Sequence, residues 1–73
     1  MNGENSLFLE GLSEGEVVKL RRMAKGLRQI DIAAVAHCEQ SHIIDLEKDR
    51  WVRPDIRERV LVALGLWEEV GDD

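Results

Sequence analysis

The sequence predicts an all-α fold, a compact bundle of four to five short helices. Apolar residues recur at helical spacing in several segments, and helix start and stop residues separate these segments. No segment alternates apolar and polar residues over the length of a strand. The 73 residues make one domain at most. A chain of this length buries only about 60% of the surface that its unfolded form exposes, so we expect a marginal core.

Charge is unevenly distributed along the chain. The formal net charge is −5, and residues 1–16 and 60–73 each carry four acidic residues and no basic one. Residues 17–59 hold all ten lysines and arginines against seven acidic residues. A basic stripe within an acidic chain can bind phosphate, because the field over about 10 Å matters more than the total charge. An ordinary solvated surface explains the pattern equally well.

The single cysteine excludes an intramolecular disulfide, and we therefore expect a reducing, cytoplasmic setting. No run of about 18 apolar residues could span a membrane. The first residues also lack the basic start and long apolar stretch of a signal peptide. We divide the chain into an N-terminal arm (residues 1–12), a helical domain (13–70) and an acidic tail (71–73).

The first helix is predicted to begin after Ser13. The sequence Ser-Glu-Gly-Glu has the form of a capping box, in which the Ser13 oxygen accepts from the Glu16 amide and the Glu16 side chain reaches back. Gly26 marks the end, because glycine readily adopts the conformation that closes a helix. The apolar residues expected on the buried face are Val17, Val18, Leu20, Met23 and Ala24, with Leu27 beyond.

Residues 29–48 contain two more short helices, over residues 29–36 and about 40–49, with a sharp corner between them. Their inward-facing apolar residues are Ile32, Ala33 and Ala36 in the earlier helix and Ile43 and Leu46 in the later one. Two helices joined by so short a turn form a helix-turn-helix, whose second helix can enter the major groove of DNA.

A fourth helix is predicted to open at Pro54, because proline is tolerated in the first turn, and to end at Gly65. Its expected buried residues are Ile56, Val60, Leu61, Ala63 and Leu64. A last helical turn could follow, formed by Leu66, Trp67 and Val70.

Several short motifs within residues 14–66 occur in the order and at the spacing of a known family. They are Arg22, Gln29, the pair Ile32-Ala33, Ile43 with Leu46-Glu47, the pair Arg53-Pro54, and the run Ala63-Leu64-Gly65-Leu66. Together they resemble the phage-repressor and Cro family of helix-turn-helix DNA-binding domains, of the xenobiotic-response-element type. The resemblance implies a lambda-repressor-like fold in which the third helix reads DNA.

The resemblance places the base-reading residues on the outward face of the third helix. The candidates are Gln40, Ser41, His42, Ile44 and Asp45. Gln40 and Ser41 stand at the end that enters the groove deepest in this family. Glutamine can pair with adenine through two hydrogen bonds, and serine can bond either class of base. His42 could touch phosphate, touch a base or be merely exposed, and Ile44 could meet a thymine methyl, cover the core or face a partner.

The candidates for phosphate contacts are Gln29, Arg28, Lys48, Arg50 and Arg53. Such contacts give affinity and register but carry no sequence information. Gln29 opens a helix, where free amides attract phosphate, and its carbonyl can accept from Gln40. The resemblance also implies a structural ion pair between Arg22 and Glu47, which would fix the angle of the third helix.

Four polar residues depart from the family pattern. His37 stands where relatives have glycine, in a turn that can require a left-handed backbone. Glu39 occupies the cap position before the third helix, where serine or threonine is commoner. Asp45 lies on the reading face, and Asp55 follows the loop where some relatives have a basic residue. These carboxylates weaken the DNA interpretation and raise the weight of a protein partner.

Apolar residues outside the predicted core are candidates for a dimer interface. They are Trp51, Leu7, Phe8, Leu9 and Trp67. Trp51 lies in the loop after the third helix, where relatives build part of the dimer interface, and aromatic anchors are enriched in interfaces. Packing within the chain is the alternative, and it suits Trp67 better than Trp51.

Neither catalysis nor metal binding is expected. The sequence has no glycine-rich phosphate loop, and adjacency of His37 and Cys38 in the chain does not make a nucleophile–base pair. Zinc usually takes four ligands, and only His37, Cys38 and His42 are at hand. We therefore expect no cofactor.

The resemblance implies a bacterial or phage transcriptional regulator, most simply a repressor that binds a palindromic operator in double-stranded DNA as a homodimer. Such a protein would be associated with the nucleoid. A phage repressor, a restriction-modification controller and an autoregulating antitoxin are equally compatible with it. The alternative is a protein-interaction module on the same fold, whose acidic surface binds another regulator or a toxin.

Overall fold

A computed structural model describes residues 11–67 of the chain. The described part contains four helices and no strand, which confirms the predicted all-α class. The helices are α1 (Glu14–Ala24), α2 (Gln29–Val35), α3 (Gln40–Glu47) and α4 (Pro54–Ala63). The predicted acidic tail, most of the N-terminal arm and Val70 lie outside the described residues.

The predicted capping box opens α1. The Ser13 hydroxyl oxygen accepts from the Glu16 amide at 3.1 Å, and the Ser13 amide donates to the Glu16 carboxylate at 2.9 Å. At the other end, Gly26 has a φ of +72° and the Leu27 amide donates to the Arg22 carbonyl at 3.1 Å. Both ends of α1 are therefore set by residues within a few positions, which is why the sequence predicted them.

The buried face of α1 agrees with the prediction at Val18 and differs from it at Leu20 and Met23. Gly15, Val18 and Arg22 are buried, whereas Leu20 is 46% exposed and Met23 is 56% exposed. Positions 15, 18 and 22 follow the spacing of one helix face. Gly15 allows that face to meet the backbone of α3, since a Cβ there would lie only 2.5 Å from the Leu46 carbonyl oxygen. Close backbone contact, and not apolar content, decides which side of α1 is buried.

The corner between α2 and α3 is closed by a left-handed residue and held by α4. His37 has a φ of +59°, a conformation that histidine adopts at some cost. The Arg59 guanidinium of α4 donates to the carbonyl oxygens of Ala36 and His37, at 3.0 and 3.2 Å. Because these carbonyls lie at the end of α2, the cation also satisfies groups that the helix leaves free.

Helix α3 ends two residues before the predicted end. Its last residue is Glu47, and Asp49 has a φ of +60°. The Asp49 carboxylate accepts from the Gly15 amide at 2.9 Å, at the start of α1. With this left-handed backbone Asp49 cannot continue the helix, and α3 therefore ends where Asp49 contacts α1.

Helix α4 completes the core. Pro54 stands in its first turn, Leu64 caps it, and Gly65 follows with a φ of +74°. The core cluster comprises Val18, Ile32, Ala33, Ala36, Ile43, Leu46, Val52, Ile56, Val60, Leu61 and Leu64. Leu66 and Trp67 do not form the predicted last helical turn, because the chain bends after Gly65. Within residues 11–67, no helix is long and apolar enough to cross a membrane.

Candidate nucleic-acid interface

The first residues of α3 are the most accessible of the predicted base-reading residues. Gln40 and Ser41 are exposed, and both lie in the first turn. His42 is half-buried, because its Nδ1 atom accepts from the Glu39 amide at 3.1 Å. The Glu39 side chain makes no capping hydrogen bond, so the imidazole satisfies one amide at this helix start. His42 therefore has a local structural task that the sequence did not indicate.

Ile44 and Asp45 are also half-buried. Ile44 helps to line a shallow pocket of about 330 Å³, where α1, α2 and α3 meet. The residues around this pocket are Lys19, Arg22, Gln29, Ile44, Glu47 and Lys48. Ile44 is not among the half-buried apolar residues that pack against the core cluster, which are Leu27, Cys38, Ala63 and Leu66. Asp45 faces Arg50, with 3.3 Å between a guanidinium nitrogen and a carboxylate oxygen.

A chain of hydrogen bonds joins the start of α3 to the interior. The Gln40 side-chain amide donates to the side-chain oxygen Oε1 of Gln29 at 3.4 Å, and the Gln29 side-chain amide donates to the Glu47 carboxylate at 3.1 Å. Glu47 in turn accepts from Arg22 at 2.6 and 3.1 Å. This is the ion pair that the resemblance implied. The network links the exposed side chain of Gln40, through Gln29, to the buried ion pair in the body of the domain.

The Arg22–Glu47 pair is buried, with 10% and 6% of the two side chains exposed. A third guanidinium nitrogen of Arg22 donates to the Leu27 carbonyl at 2.9 Å, so the charge is well solvated by protein groups. Removing one partner of such a pair leaves an uncompensated buried charge, which costs on the order of 3–5 kcal/mol. We conclude that the pair fixes the packing of α3 on α1.

All three arginines predicted to bind phosphate are paired with nearby carboxylates. Arg28 pairs with Asp31, Arg50 with Asp45, and Arg53 with Asp55. The aspartate beside Arg28 raises the pKa of that guanidinium, chiefly through their side-chain hydrogen bond, and the pKa of Asp31 is lowered for the same reason. These positions are therefore zwitterionic, not simply cationic.

Lysines provide the cations of this surface that have no carboxylate partner within residues 11–67. Lys48 follows α3 directly, and Lys19 lies across the shallow pocket on α1. Lys19 was not among the predicted site residues. Its signal in the sequence was weak, because it is one of several cations on α1 and only the packing of α1 on α3 brings it to the interface.

The two tryptophans differ in their surroundings. Trp51 is 77% exposed and stands at the rim of a pocket of about 300 Å³. That pocket is lined by Glu14, Leu46, Asp49, Arg50, Trp51, Val52, Pro54 and Arg57. Trp67 is 40% exposed, and the Arg57 guanidinium carbon lies 5.4 Å from its ring centroid, in the range of a cation–π contact. The other interface candidates, Leu7, Phe8 and Leu9, lie outside the described residues.

Cys38 is half-buried behind the corner, and burial raises the pKa of its thiol. A thiol with a raised pKa is a poor nucleophile and a poor metal ligand at neutral pH. Within the described part of the chain, no group of three or more His, Cys, Asp or Glu side chains could hold a metal ion.

The chain was compared with protein-family models, with curated proteins and with solved structures, and no match was found in any of the three comparisons.

Proposed function

We propose that the protein is a sequence-specific DNA-binding transcriptional regulator, most simply a repressor, that inserts α3 into the major groove. The observation that carries the proposal is the exposed start of α3, where Gln40 is held by Gln29 and Ser41 lies exposed beside it. A glutamine oriented in this way can present both its donor and its acceptor to an adenine edge.

The size and shape of the helix pair support the same proposal. The corner between α2 and α3 spans residues 36–39, and α3 has eight residues, enough for two turns along a groove. Lys48 and Arg50 follow the end of α3, and Arg28 and Gln29 lie at the start of α2. Such a placement brackets the reading helix with groups that can bind the two phosphate walls of the groove.

We further propose that the regulator acts as a homodimer through the surface around Trp51. The Trp51 side chain is 77% exposed beside a pocket, and tryptophan is enriched among the residues that anchor protein interfaces. The pocket carries both signs of charge, from Glu14 and Asp49 and from Arg50 and Arg57. A surface with both signs can complement a second copy of itself across a twofold axis.

Two alanine variants test the assignment of roles. Gln40→Ala should change which base is preferred at one position of the site, costing about 1–3 kcal/mol there, because the bidentate contact is lost. Arg53→Ala should weaken binding to all sequences alike and reduce the salt slope of binding, because Arg53 is assigned to a phosphate. The measurement is the affinity of each variant for its selected site, for point variants of that site and for random duplex, at several salt concentrations. If both variants lose affinity equally on specific and random DNA, Gln40 does not read sequence.

A second candidate function is supported by a different observation. Exposed apolar side chains stand on α1 and α2, away from the core: Leu20, Met23, Ile30 and Val35. Together with the zwitterionic arginine sites, they favour a protein-interaction module that binds another regulator or a toxin. This candidate predicts no preference among DNA sequences.

A further inference from the structure

The arginines that flank the helix-turn-helix share one feature. Each is held by an aspartate two to five residues away in the chain, while its own side chain remains mostly exposed. Arg28 donates to Asp31 from Nε and Nη2, both at 3.0 Å. Arg53 donates to Asp55 from the same two nitrogens, both at 3.2 Å. Arg50 donates to Asp45 at 3.3 Å.

The three exposed ion pairs contribute little to the stability of the fold. The three arginine side chains are 79%, 61% and 67% exposed, in chain order, and an exposed ion pair typically contributes no more than about 1 kcal/mol. The buried Arg22–Glu47 pair is different, because it fixes the contact between α1 and α3. A role for the exposed pairs is therefore better sought in what the arginines bind when DNA is present.

A carboxylate beside a guanidinium cancels most of its field at the distance of an approaching phosphate. In Arg28 and Arg53 the carboxylate also occupies the edge formed by Nε and Nη2, one of the edges from which arginine binds an oxyanion through two bonds. A DNA phosphate must then either displace the aspartate or bind while a second negative charge lies nearby.

We propose that Asp31, Asp45 and Asp55 are intramolecular counter-ions that lower the affinity of the flanking arginines for DNA phosphate, whatever the DNA sequence. The proposal rests on the DNA-binding function proposed above. It assigns these three residues a part in specificity, because a smaller phosphate contribution leaves more of the binding free energy to base contacts. Weak sequence-independent binding matters where one operator competes with a large excess of other DNA.

The opposite role for the same aspartates would be to orient the arginines for phosphate. The two roles predict opposite changes in DNA affinity when the aspartate charge is removed. Removing the charge of a counter-ion strengthens DNA binding, whereas removing an orienting group weakens it. Asparagine keeps the shape of aspartate and one acceptor oxygen, so Asp→Asn changes the charge with little change in packing.

The test uses Asp45→Asn and Asp55→Asn, singly and together, in the full chain. Asp31 is left unchanged because it also accepts from the Arg28 amide at 2.8 Å and so helps to begin α2. Asp55 also lies 3.6 Å from a guanidinium nitrogen of Arg59, so the single variant Asp45→Asn, which frees one arginine, is the cleaner of the two. Glu58→Gln is the matched control, because it makes the same change of net charge at an exposed residue of α4 that has no ion-pair partner within residues 11–67. Affinity is measured for a random duplex and for the selected site, at several salt concentrations, after thermal unfolding has shown that each variant is folded.

A carboxylate about 7 Å from a phosphate opposes binding by roughly threefold in water. We therefore expect each single variant to bind random duplex about threefold more tightly than the unchanged protein, and the double variant about tenfold more tightly. The salt slope should steepen, by at most about 0.9 for each arginine freed. The control should change affinity less than about twofold.

Unchanged or weaker binding by the asparagine variants, with the unchanged protein binding its selected site, would overturn the counter-ion role alone. If no form binds any duplex at low salt, the proposed function fails and the counter-ion role fails with it. A gain equal to that of Glu58→Gln would also overturn the proposal, because net charge would then account for it.

Discussion

Asp49 shows how one side chain can set both a helix end and a helix contact. It adopts a left-handed backbone, with a φ of +60°, directly after the capping residue of α3. From there its carboxylate reaches the first turn of α1 and accepts from the Gly15 amide at 2.9 Å. The bonds from the Ser13 hydroxyl and from that amide lower the pKa of Asp49. The residue thus ties two helices together most strongly while it is ionised.

The lowered pKa gives a pH dependence with a definite sign. A carboxyl whose folded pKa lies below its unfolded value of about 3.9 stabilises the fold above that value, and this stabilisation is lost as the pH falls through the folded pKa. We expect Asp49→Asn to lower the thermal unfolding midpoint at neutral pH, because the charge-assisted bonds are weakened. The difference between the two proteins should shrink below about pH 4. A difference that stays constant into strong acid would show that the Asp49 charge does not stabilise the fold.

At the scale of helices, the packing of α1 on α3 positions the helix that we propose reads DNA. Gly15 lets the two backbones come into contact, Arg22 binds Glu47, and Ile44 lines the pocket beside them. The corner before α3 is fixed from another direction, by Arg59 of α4. Helix α3, which carries Gln40 and Ser41, is therefore supported from both neighbouring sides.

The glycine contact can be tested with one methyl group. A Cβ at position 15 would lie 2.5 and 2.6 Å from the carbonyl oxygens of Leu46 and Glu47, so α1 and α3 must separate. We expect Gly15→Ala to lower the free energy of unfolding by about 1–3 kcal/mol, although alanine is the better helix former. Gly11→Ala is the control, because a Cβ at Gly11 meets nothing within 4 Å, and it should change stability by less than about 0.5 kcal/mol. Denaturant unfolding curves of both variants provide the measurement, and equal stabilities would contradict the close contact.

The features that the sequence predicted best are those set by neighbouring residues. Ser13 with Glu16, Pro54, and the glycines at 26 and 65 fix helix ends through local hydrogen bonds and backbone preference, so their positions could be derived from the sequence alone. The bond between Gln29 and Gln40 was also anticipated.

The features that the sequence did not predict depend on contacts between distant segments. Val18 is buried as predicted, whereas Leu20 and Met23 are exposed because the inward face of α1 also contains Gly15 and Arg22. The contact of Arg59 with the corner spans more than twenty residues, and no local pattern indicates it.

At the scale of the whole molecule, charge decides how a chain with a net charge of −5 could bind DNA. The basic residues lie within residues 17–59, but among the residues described the arginines beside the helix-turn-helix are neutralised by their aspartates. Long-range attraction to DNA is therefore expected to be modest, and base contacts from α3 must supply much of the affinity of a specific complex. The dimer proposed around Trp51 would add a second α3 and double these base contacts.

Selection of bound sites from a pool of random duplexes is the sharpest test of whether α3 reads DNA sequence. We predict enrichment of a palindrome whose half-sites are spaced by about one helical turn, because a twofold dimer places its two reading helices in successive major grooves. Selection with Gln40→Ala should yield a site altered at the same position of each half. Recovery of unenriched sequence from a folded protein would contradict the proposed regulator and would favour the protein-interaction module.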